Sequence, residues 1–267
     1  MINLAFIKNN VKNLLKSSGI VFVSAFLFFI IFLWVFKFDM SYKNGSIEYI
    51  EFFMKFEAGE INTFGYNLLR DVVMMLGSTL LFLLILQSST LYPDLINGSM
   101  VKLILSRNIK RSELIWSFYF SELIAVFTIL MIFGTSITLV ILIKSGGYVT
   151  IFPIYICTIV FLIFVALFSI ITLVSIITKN TLITTILGII SYFVLIPFLL
   201  SDVLSTIQFL KYIFPPVLIE RELHLKQGGE FFSIAIVSLI YAYLYVKLAI
   251  YLFEMEILTQ PIKMEIN

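Results

Sequence analysis

The stretch "LIWSFYFSELIAVFTILMIFGTSITLVILI", residues 114–143, decides what kind of protein this is. It holds a single charged side chain, Glu122, and a helix of this length at roughly 1.5 Å per residue exceeds the hydrocarbon core of a bilayer, about 30 Å thick. The rest of the chain agrees, since 61% of its 267 residues are hydrophobic and only 13% are charged. A soluble domain carries about 25% charged residues. The sequence therefore predicts an all-α integral membrane protein.

Six segments are long and apolar enough to be transmembrane helices, and they predict a single six-helix domain over residues 1–267. The spans lie at roughly 19–38, 68–91, 114–143, 151–178, 181–201 and 231–253. Only Lys179 and Asn180 separate the fourth span from the fifth, so we expect a tight helical hairpin there. The longest connections, about 37–67 and 202–230, are expected to be outer loops.

The distribution of lysine and arginine predicts the orientation. Cations precede the first span and cluster between the second and third, which places those segments in the cytoplasm. An even number of spans then puts both termini inside. The abundance of Ile, Lys, Asn and Phe is typical of an AT-rich bacterial genome, so we expect the protein in a bacterial cytoplasmic membrane.

The N-terminal residues 1–17 have the pattern of an amphipathic helix lying on the membrane surface. Apolar residues recur at helical spacing, and three lysines follow one another at i, i+4 and i+8 along one edge, where they can reach anionic head groups. The apolar residues are Leu4, Ile7, Val11 and Leu14, and the lysines are Lys8, Lys12 and Lys16. A simpler reading is a charged flank that only orients the first span.

Several kinds of chemistry are excluded by what the sequence lacks. No G-x-x-x-x-G-K-[ST] motif is present, and a single histidine, His224, and a single cysteine, Cys157, exclude multi-histidine or cysteine-based metal centres and an intramolecular disulfide. The serines and threonines of "GTSITL", residues 134–139, are expected to bond their own helix backbone. With a net charge of +2, nucleic acid is not expected as a partner. We therefore predict a protein that is not an enzyme and binds no cofactor itself.

Ionisable residues within or near the spans are candidates for ion pathways. Arg70 and Asp71 lie close to the outer start of the second span, and Glu122 lies about two turns into the third. Glu122 is expected either to pair with a nearby cation at the interface, which we favour, or to line a polar cavity.

The connection between the second and third spans is both basic and apolar. Its sequence, "DLINGSMVKLILSRNIKRSELI", residues 94–115, contains Lys102, Arg107, Lys110 and Arg111, and we call it the elbow. Ser112 is expected to cap the third helix and Glu113 to lie in its first turn. A positive-inside anchor explains the cations, but it does not require an apolar stripe as well.

The elbow resembles that of permease subunits of type-2 ATP-binding-cassette (ABC) transporters. That family has an acidic residue, a Gly-Thr-like step, a Leu-rich turn and a Pro-x-Ser-Arg-x-Glu-Leu-like run between its second and third spans. The corresponding residues are Asp94, Gly98-Ser99, Leu103 with Leu105, and "NIKRSELI" from Asn108, in which Arg111 and Glu113 match the family's Arg and Glu. "YLFEMEIL", residues 251–258, is similar to the family's closing signature, and "FPP", residues 214–216, to its re-entrant outer segment. The chain departs from the family at Asn108, where proline is common, at Phe118, near a frequent lysine, and at Glu256, where aspartate is usual.

The resemblance implies a transporter powered by a partner. Two copies of a separate ABC ATPase subunit would bind ATP and Mg, and a second permease copy or a paralogue would complete the pathway across the lipid bilayer. The residues implied in ATPase coupling are Asp94, Gly98, Met100, Lys102, Leu103, Arg107, Arg111 and Glu113. The pathway candidates are Asn67, Gln87, Ser88, Glu122 and Thr184, with Ser89 and the rest of "TLITT", residues 181–185; these residues could equally serve helix packing.

The apolar composition suits a hydrophobic or amphipathic substrate, such as an antimicrobial peptide, a lipid-like molecule or a drug, and together with the family resemblance it implies export of that substrate. The alternative is an ion-coupled secondary transporter or channel that uses Glu122 and the Arg70/Asp71 pair.

Overall fold

A computed structural model of the chain describes residues 7–8, 11–12, 23, 27, 30, 39–43, 46–52, 54–57, 81–89, 110–145, 152–191 and 231–259. Three strands lie in this part of the chain: β1 (Asp39–Lys43), β2 (Ser46–Phe52) and β3 (Met54–Glu57). The helices with both ends described are α1 (Arg111–Ser145), α2 (Phe152–Thr178), α3 (Thr181–Ile190) and α4 (Phe231–Thr259). Residues 81–89 are also helical, and we call them the 81–89 segment.

Three of these helices are long and apolar enough to cross a membrane. The segments that meet this requirement are Ser112–Ile143 in α1, Pro153–Thr178 in α2 and Ala235–Met255 in α4. They correspond to the third, fourth and sixth predicted spans, so the structure is that of a membrane protein.

The other three predicted spans are described only in part. Helix α3 is a shorter apolar helix at the start of the fifth span, and the 81–89 segment covers the end of the second. Val23, Leu27 and Ile30 of the first span are helical. The remaining residues of these spans lie outside the described part of the chain.

The chain divides into two compact units, which share α1 and α2. One unit contains residues 1–12, 85–123 and 162–267, and the other contains residues 13–84 and 124–161. Helix α2 is the most buried of the three long helices. In its most apolar 18-residue segment 78% is buried, against 39% for α1 and 33% for α4. Helix α2 is thus the core helix, whereas α1 and α4 each leave a large apolar surface exposed.

Aromatic side chains hold α1 against α2 in the first of these units. The ring of Tyr119 in α1 stacks on Phe168 in α2 with 5.2 Å between centroids, and Phe168 stacks in turn on Phe164 at 5.3 Å. The Tyr119 hydroxyl donates a hydrogen bond to the backbone oxygen of Val165 at 3.1 Å. This bond satisfies the polar end of a buried tyrosine, as a membrane interior demands.

In the other unit a glycine lets the same two helices approach closely. A Cβ atom at Gly134 would lie 3.1 Å from Cys157 Sγ, 3.2 Å from Ile154 Cα and 3.3 Å from the backbone oxygen of Pro153. Two of these three neighbours are backbone atoms, which can yield only if the start of α2 shifts. Small residues at such crossings are a common device of membrane helices. Cys157 is buried here, as expected for a small core residue.

Replacing Gly134 by valine is therefore expected to lower the free energy of unfolding by about 1–3 kcal/mol, the usual cost of overpacking. Unfolding of the purified protein in detergent would measure it. Thr135→Val is the matched control, because Thr135 is the next residue of the same helix and is exposed. Adding Cys157→Ala to the Gly134→Val protein should restore part of the loss. Equal stability of the Gly134 and Thr135 variants would contradict the close approach.

The predicted tight hairpin between the fourth and fifth spans is confirmed. Helix α2 ends at Thr178 and α3 begins at Thr181. Lys179 turns the chain with a φ of 52°, and Asn180 caps α3 by accepting hydrogen bonds from the backbone N–H groups of Leu182 and Ile183. Asparagine is a favoured N-cap because its side-chain oxygen satisfies the first N–H groups of a helix.

Helix α1 starts two residues earlier than a cap at Ser112 predicts. The helix begins at Arg111, and the Lys110 carbonyl accepts the Leu114 N–H at 3.1 Å, so Ser112 lies within the first turn and does not cap it. Glu113 lies in the first turn, as predicted. Farther along, the expected back-bonding is confirmed: the hydroxyls of Thr135, Ser136 and Thr138 donate to carbonyls of their own helix.

Residues 39–57 form a small antiparallel sheet of order β1-β2-β3 within the connection predicted as the first outer loop. Asp39 pairs with Glu51 and Lys43 with Ser46, with a register shift at Ser41/Tyr42. Strands β2 and β3 pair from Tyr49 with Glu57 to Phe52 with Met54. The all-α prediction thus holds for the apolar helices, but it did not include these three strands.

Candidate functional site: a buried polar contact between the two flanks of the elbow

Glu122 lies on the buried side of α1 and is only 2% exposed. Its Oε1 atom accepts a hydrogen bond from the Ser88 hydroxyl at 2.6 Å. Ser88 belongs to the 81–89 segment and is itself fully buried. The contact therefore joins the segment that precedes the elbow to the helix in which the elbow ends. We call it the Ser88–Glu122 contact.

The position of Glu122 differs from the interfacial pairing that the sequence favours. It lies roughly 16 Å along the helix axis from Arg111, at about 1.5 Å per residue. Its hydrogen-bond donor is a serine, and among the described residues the structure contains no cation paired with it. The second atom, Oε2, is buried and has no hydrogen-bond partner within the described part of the chain. A buried carboxyl group of this kind fits the alternative of a polar interior.

A second polar contact links the same segment to α3. The hydroxyls of Ser89 and Thr185 lie 2.7 Å apart, and Ser89 also donates to the Leu86 carbonyl at 2.8 Å. Two adjacent serines, Ser88 and Ser89, therefore contact α1 and α3 respectively. This pair fixes the end of the 81–89 segment against two other helices.

The line of hydroxyl groups continues to the hairpin between α2 and α3. Thr184 is fully buried, donates to the Asn180 carbonyl at 2.9 Å and lies 3.2 Å from the Thr178 hydroxyl. Near the other end of this polar region, Ser121 precedes Glu122 and donates to the Ser117 carbonyl of its own helix at 2.5 Å. Polar side chains of four elements thus make pairwise contacts within one compact unit.

This arrangement offers hydrogen bonding and one carboxyl group, which suits helix association or the passage of a polar group. Within the described residues no set of three or more His, Cys, Asp or Glu side chains could hold a metal ion.

The same unit contains an aromatic groove between α1, α2 and α4. Its volume is about 350 Å³, and its lining is predominantly apolar. The lining residues are Trp116, Tyr119, Phe120, Leu123, Val165, Leu239, Ala242 and Tyr243. Trp116 stacks on Tyr243 with 5.7 Å between ring centroids, and the Nζ atom of Lys247 lies 5.8 Å from the centroid of the Tyr243 ring. We call this feature the aromatic groove.

The predicted pathway residues are described unequally. Ser88 and Glu122 are in direct contact, Thr184 is buried beside the hairpin, and Gln87 is helical and half-buried. Ser89 and Thr185, which the sequence also suggests, contact each other. Asn67, Arg70 and Asp71 lie outside the described residues.

The predicted coupling residues are described only where the elbow meets α1. Arg111 and Glu113 lie in the first turn of that helix. The rest lie outside the described part of the chain: Asp94, Gly98, Met100, Lys102, Leu103 and Arg107.

At the N-terminus, Ile7, Lys8, Val11 and Lys12 are helical. Ile7 and Val11 are half-buried, whereas Lys8 and Lys12 are exposed, as the amphipathic pattern predicts. Lys16 lies outside the described residues.

Sequence reasoning missed the aromatic groove. The available signals were the i, i+4 spacings of Trp116 with Phe120 and of Tyr243 with Lys247, which place each pair on one helix face. Such spacing does not reveal which two faces meet.

No family model and no curated protein sequence matches this chain. The likeness to ABC permeases therefore rests on the sequence of the elbow, the C-terminal run and the order of spans.

Proposed function

We propose that this chain is the permease subunit of a type-2 ABC transporter in a bacterial cytoplasmic membrane. In this proposal it has six spans with both termini in the cytoplasm, and it exports a hydrophobic or amphipathic substrate such as a peptide toxin, a lipid-like molecule or a drug. Two copies of a separate ATPase subunit bind ATP and Mg and supply the energy. A second permease copy or a paralogue forms the other half of the pathway.

The observation that best supports this proposal is the Ser88–Glu122 contact across the base of the elbow. To transmit a movement of the elbow, the two helical segments at its ends must move together. The hydrogen bond at 2.6 Å couples the 81–89 segment to α1, and the two are joined in sequence only through the elbow. A push on the elbow by an ATPase would then reach both helices at once.

Helix α1 would transmit a movement of the elbow across the membrane. Arg111 and Glu113 lie in the first turn of a 35-residue helix. A long helix carries a displacement of its first turn along its whole length, because its backbone hydrogen bonds resist bending. Movement of the elbow would thus tilt α1 and, through Tyr119 and its contacts with α2, the core helix.

Charge reversal in the elbow is expected to reduce capture of the ATPase at least tenfold. The variant is Lys102→Glu with Arg107→Glu and Arg111→Glu, whose new acidic side chains would oppose an acidic cleft on the partner. The measurement is affinity purification of the detergent-solubilised chain from its native cells, with the captured P-loop ATPase quantified by mass spectrometry.

The matched control reverses three cations of the first long connection, Lys37, Lys43 and Lys55, and should leave capture unchanged. Because lysine and arginine also set topology, the side of the membrane that holds the N-terminus is checked in both variants by protease accessibility. Failure of the unmodified protein to capture any ATPase, or equal capture by all three proteins, would rule out the proposed coupling.

A second candidate, an ion-coupled secondary transporter, is favoured by one observation. Oε2 of Glu122 is buried without a hydrogen-bond partner among the described residues, and intramembrane carboxyl groups frequently carry protons. Proteoliposomes containing this chain alone, with a pH-sensitive dye inside, would test it under an applied membrane potential. Proton uptake that disappears in Glu122→Gln would favour this candidate, and its absence from the unmodified protein would exclude a proton channel formed by this chain alone.

A further inference from the structure

The aromatic groove opens on a surface that the sequence and helix lengths place in contact with lipid. Tyr243 and Leu239 are about half exposed on α4, and Phe120 is 37% exposed on α1. These apolar side chains lie on helices that are long enough to cross a membrane. A groove on such a surface is filled by whatever apolar group the bilayer or a partner supplies.

We propose that the aromatic groove binds one acyl chain of an anionic phospholipid, with the head-group phosphate held by Lys247. The proposal is independent of what the chain transports, since it depends only on the groove and on its charged edge.

The chemistry of the edge favours an anionic head group. Lys247 is exposed, and its ammonium group lies over the Tyr243 ring, which itself stacks on Trp116. Tryptophan, tyrosine and lysine are the residues that anchor proteins at the level of lipid head groups. Trp116 is also only about 8 Å along the axis from the first residue of α1, at about 1.5 Å per residue, which agrees with a position near the membrane surface.

The interior of the groove favours a hydrocarbon chain. The Tyr119 hydroxyl is already bonded to the Val165 carbonyl, so the lining offers mainly aromatic and aliphatic carbon. A volume of about 350 Å³ is at the lower end of the usual range for ligand pockets, about 300–1,000 Å³, and suits a single chain better than a complete lipid. Leu123 is about 10 Å along α1 from Trp116, so the groove extends well below its aromatic edge.

Selectivity should come from Lys247 and not from the acyl chain, because that chain is in an apolar medium whether or not it is bound. A lysine near an anionic surface contributes about 1 kcal/mol. This energy corresponds to a roughly fivefold preference for an anionic over a zwitterionic phospholipid.

Fluorescence quenching by brominated lipids provides the test, since the chain has two tryptophans, Trp34 and Trp116. In a Trp34→Phe background, Trp116 is the only tryptophan and reports contact with the groove. The full-length protein is reconstituted in phosphatidylcholine vesicles with increasing fractions of brominated phosphatidylglycerol or, separately, brominated phosphatidylcholine. We expect half-maximal quenching at a roughly fivefold lower fraction of the anionic lipid.

Two pairs of variants separate the charge from the groove. Lys247→Gln should abolish the preference for the anionic lipid, whereas Lys247→Arg should keep it. Ala242→Phe should fill the groove and weaken quenching by both lipids, whereas Leu244→Phe, on an exposed position of the same helix, should not. Lys247 is exposed, so its variants test the proposal even if Ala242→Phe fails to fold.

Equal quenching by the two lipids in the protein with Lys247 would overturn the proposal. The absence of quenching by either lipid would also overturn it, because the groove would then be covered by protein.

Discussion

Ser88→Ala is expected to lower the free energy of unfolding by about 1.5–3 kcal/mol, because the hydroxyl donates to a carboxyl group that has no other hydrogen-bond donor among the described residues. The loss comprises the bond itself and the cost of leaving the Glu122 oxygen buried without a partner. Chemical unfolding of the purified protein in mixed micelles would measure it.

Ser121→Ala is the matched control for this substitution. Ser121 is also fully buried, but its hydroxyl donates to the carbonyl of Ser117 in its own helix, which already takes part in the helix ladder. We expect a loss of less than about 0.5 kcal/mol from it. Equal losses from Ser88→Ala and Ser121→Ala would contradict a special role for the Ser88–Glu122 contact.

Glu122→Gln separates the hydrogen bond from the charge. A glutamine oxygen can accept the same bond from Ser88, so this variant should stay within about 1 kcal/mol of the original protein. A double-mutant cycle between Ser88→Ala and Glu122→Gln then gives the part of the coupling that depends on the carboxyl group. Because Ser88 can still bond to glutamine, the cycle measures the difference between the bonds to the two side chains. A coupling near zero would indicate a neutral carboxyl group, and a clearly stabilising coupling would indicate an ionised one, since charge-assisted hydrogen bonds are the stronger.

The three long helices could be predicted from the sequence because their apolar runs exceed the bilayer thickness. The ends of α2 agree closely with the predicted 151–178, and the hairpin at Lys179 and Asn180 follows from the absence of any residues for a longer loop. Hydropathy predicts well that a span exists, but it predicts the first and last residues of the helix poorly. The start of α1 at Arg111 instead of after Ser112 is an example.

Hydropathy alone does not predict the strands of residues 39–57. An Asn44-Gly45 pair lies between β1 and β2 in the sequence, and this dipeptide is a strong signal for a two-residue hairpin turn. The charged residues that marked the segment as an outer loop did not exclude strand pairing.

The candidate site could be predicted only as a set of residues. The sequence shows Ser88 and Glu122 as polar residues in or beside spans, but their contact depends on which faces of two helices meet. The groove between Trp116 and Tyr243 depends on the same information. Composition and periodicity determine the faces of each helix separately, and packing of side chains selects the pairs.

Phe168→Ala is expected to have the largest effect on stability, a loss of about 2–4 kcal/mol in the free energy of unfolding. Phe168 is fully buried in α2 and stacks on both Tyr119 and Phe164. In a water-soluble core such a truncation costs about 3–5 kcal/mol. The expected value is lower here because the unfolded helices remain in an apolar medium, which removes much of the transfer energy and leaves the lost packing and the cavity.

Phe127→Ala provides the comparison that distinguishes packing from transfer. Phe127 is 43% exposed on α1 and makes an edge contact with Phe161 at 5.1 Å. Lipid or detergent can occupy the space left at this surface, so no cavity remains and the loss should be below about 1 kcal/mol. If the two variants lose equal stability, buried packing around α2 contributes no more to stability than packing at the lipid-facing surface. A clearly larger loss for Phe168→Ala would establish α2 as the packing centre, and Phe168→Leu should then restore about half of it, because a leucine fills part of the same space.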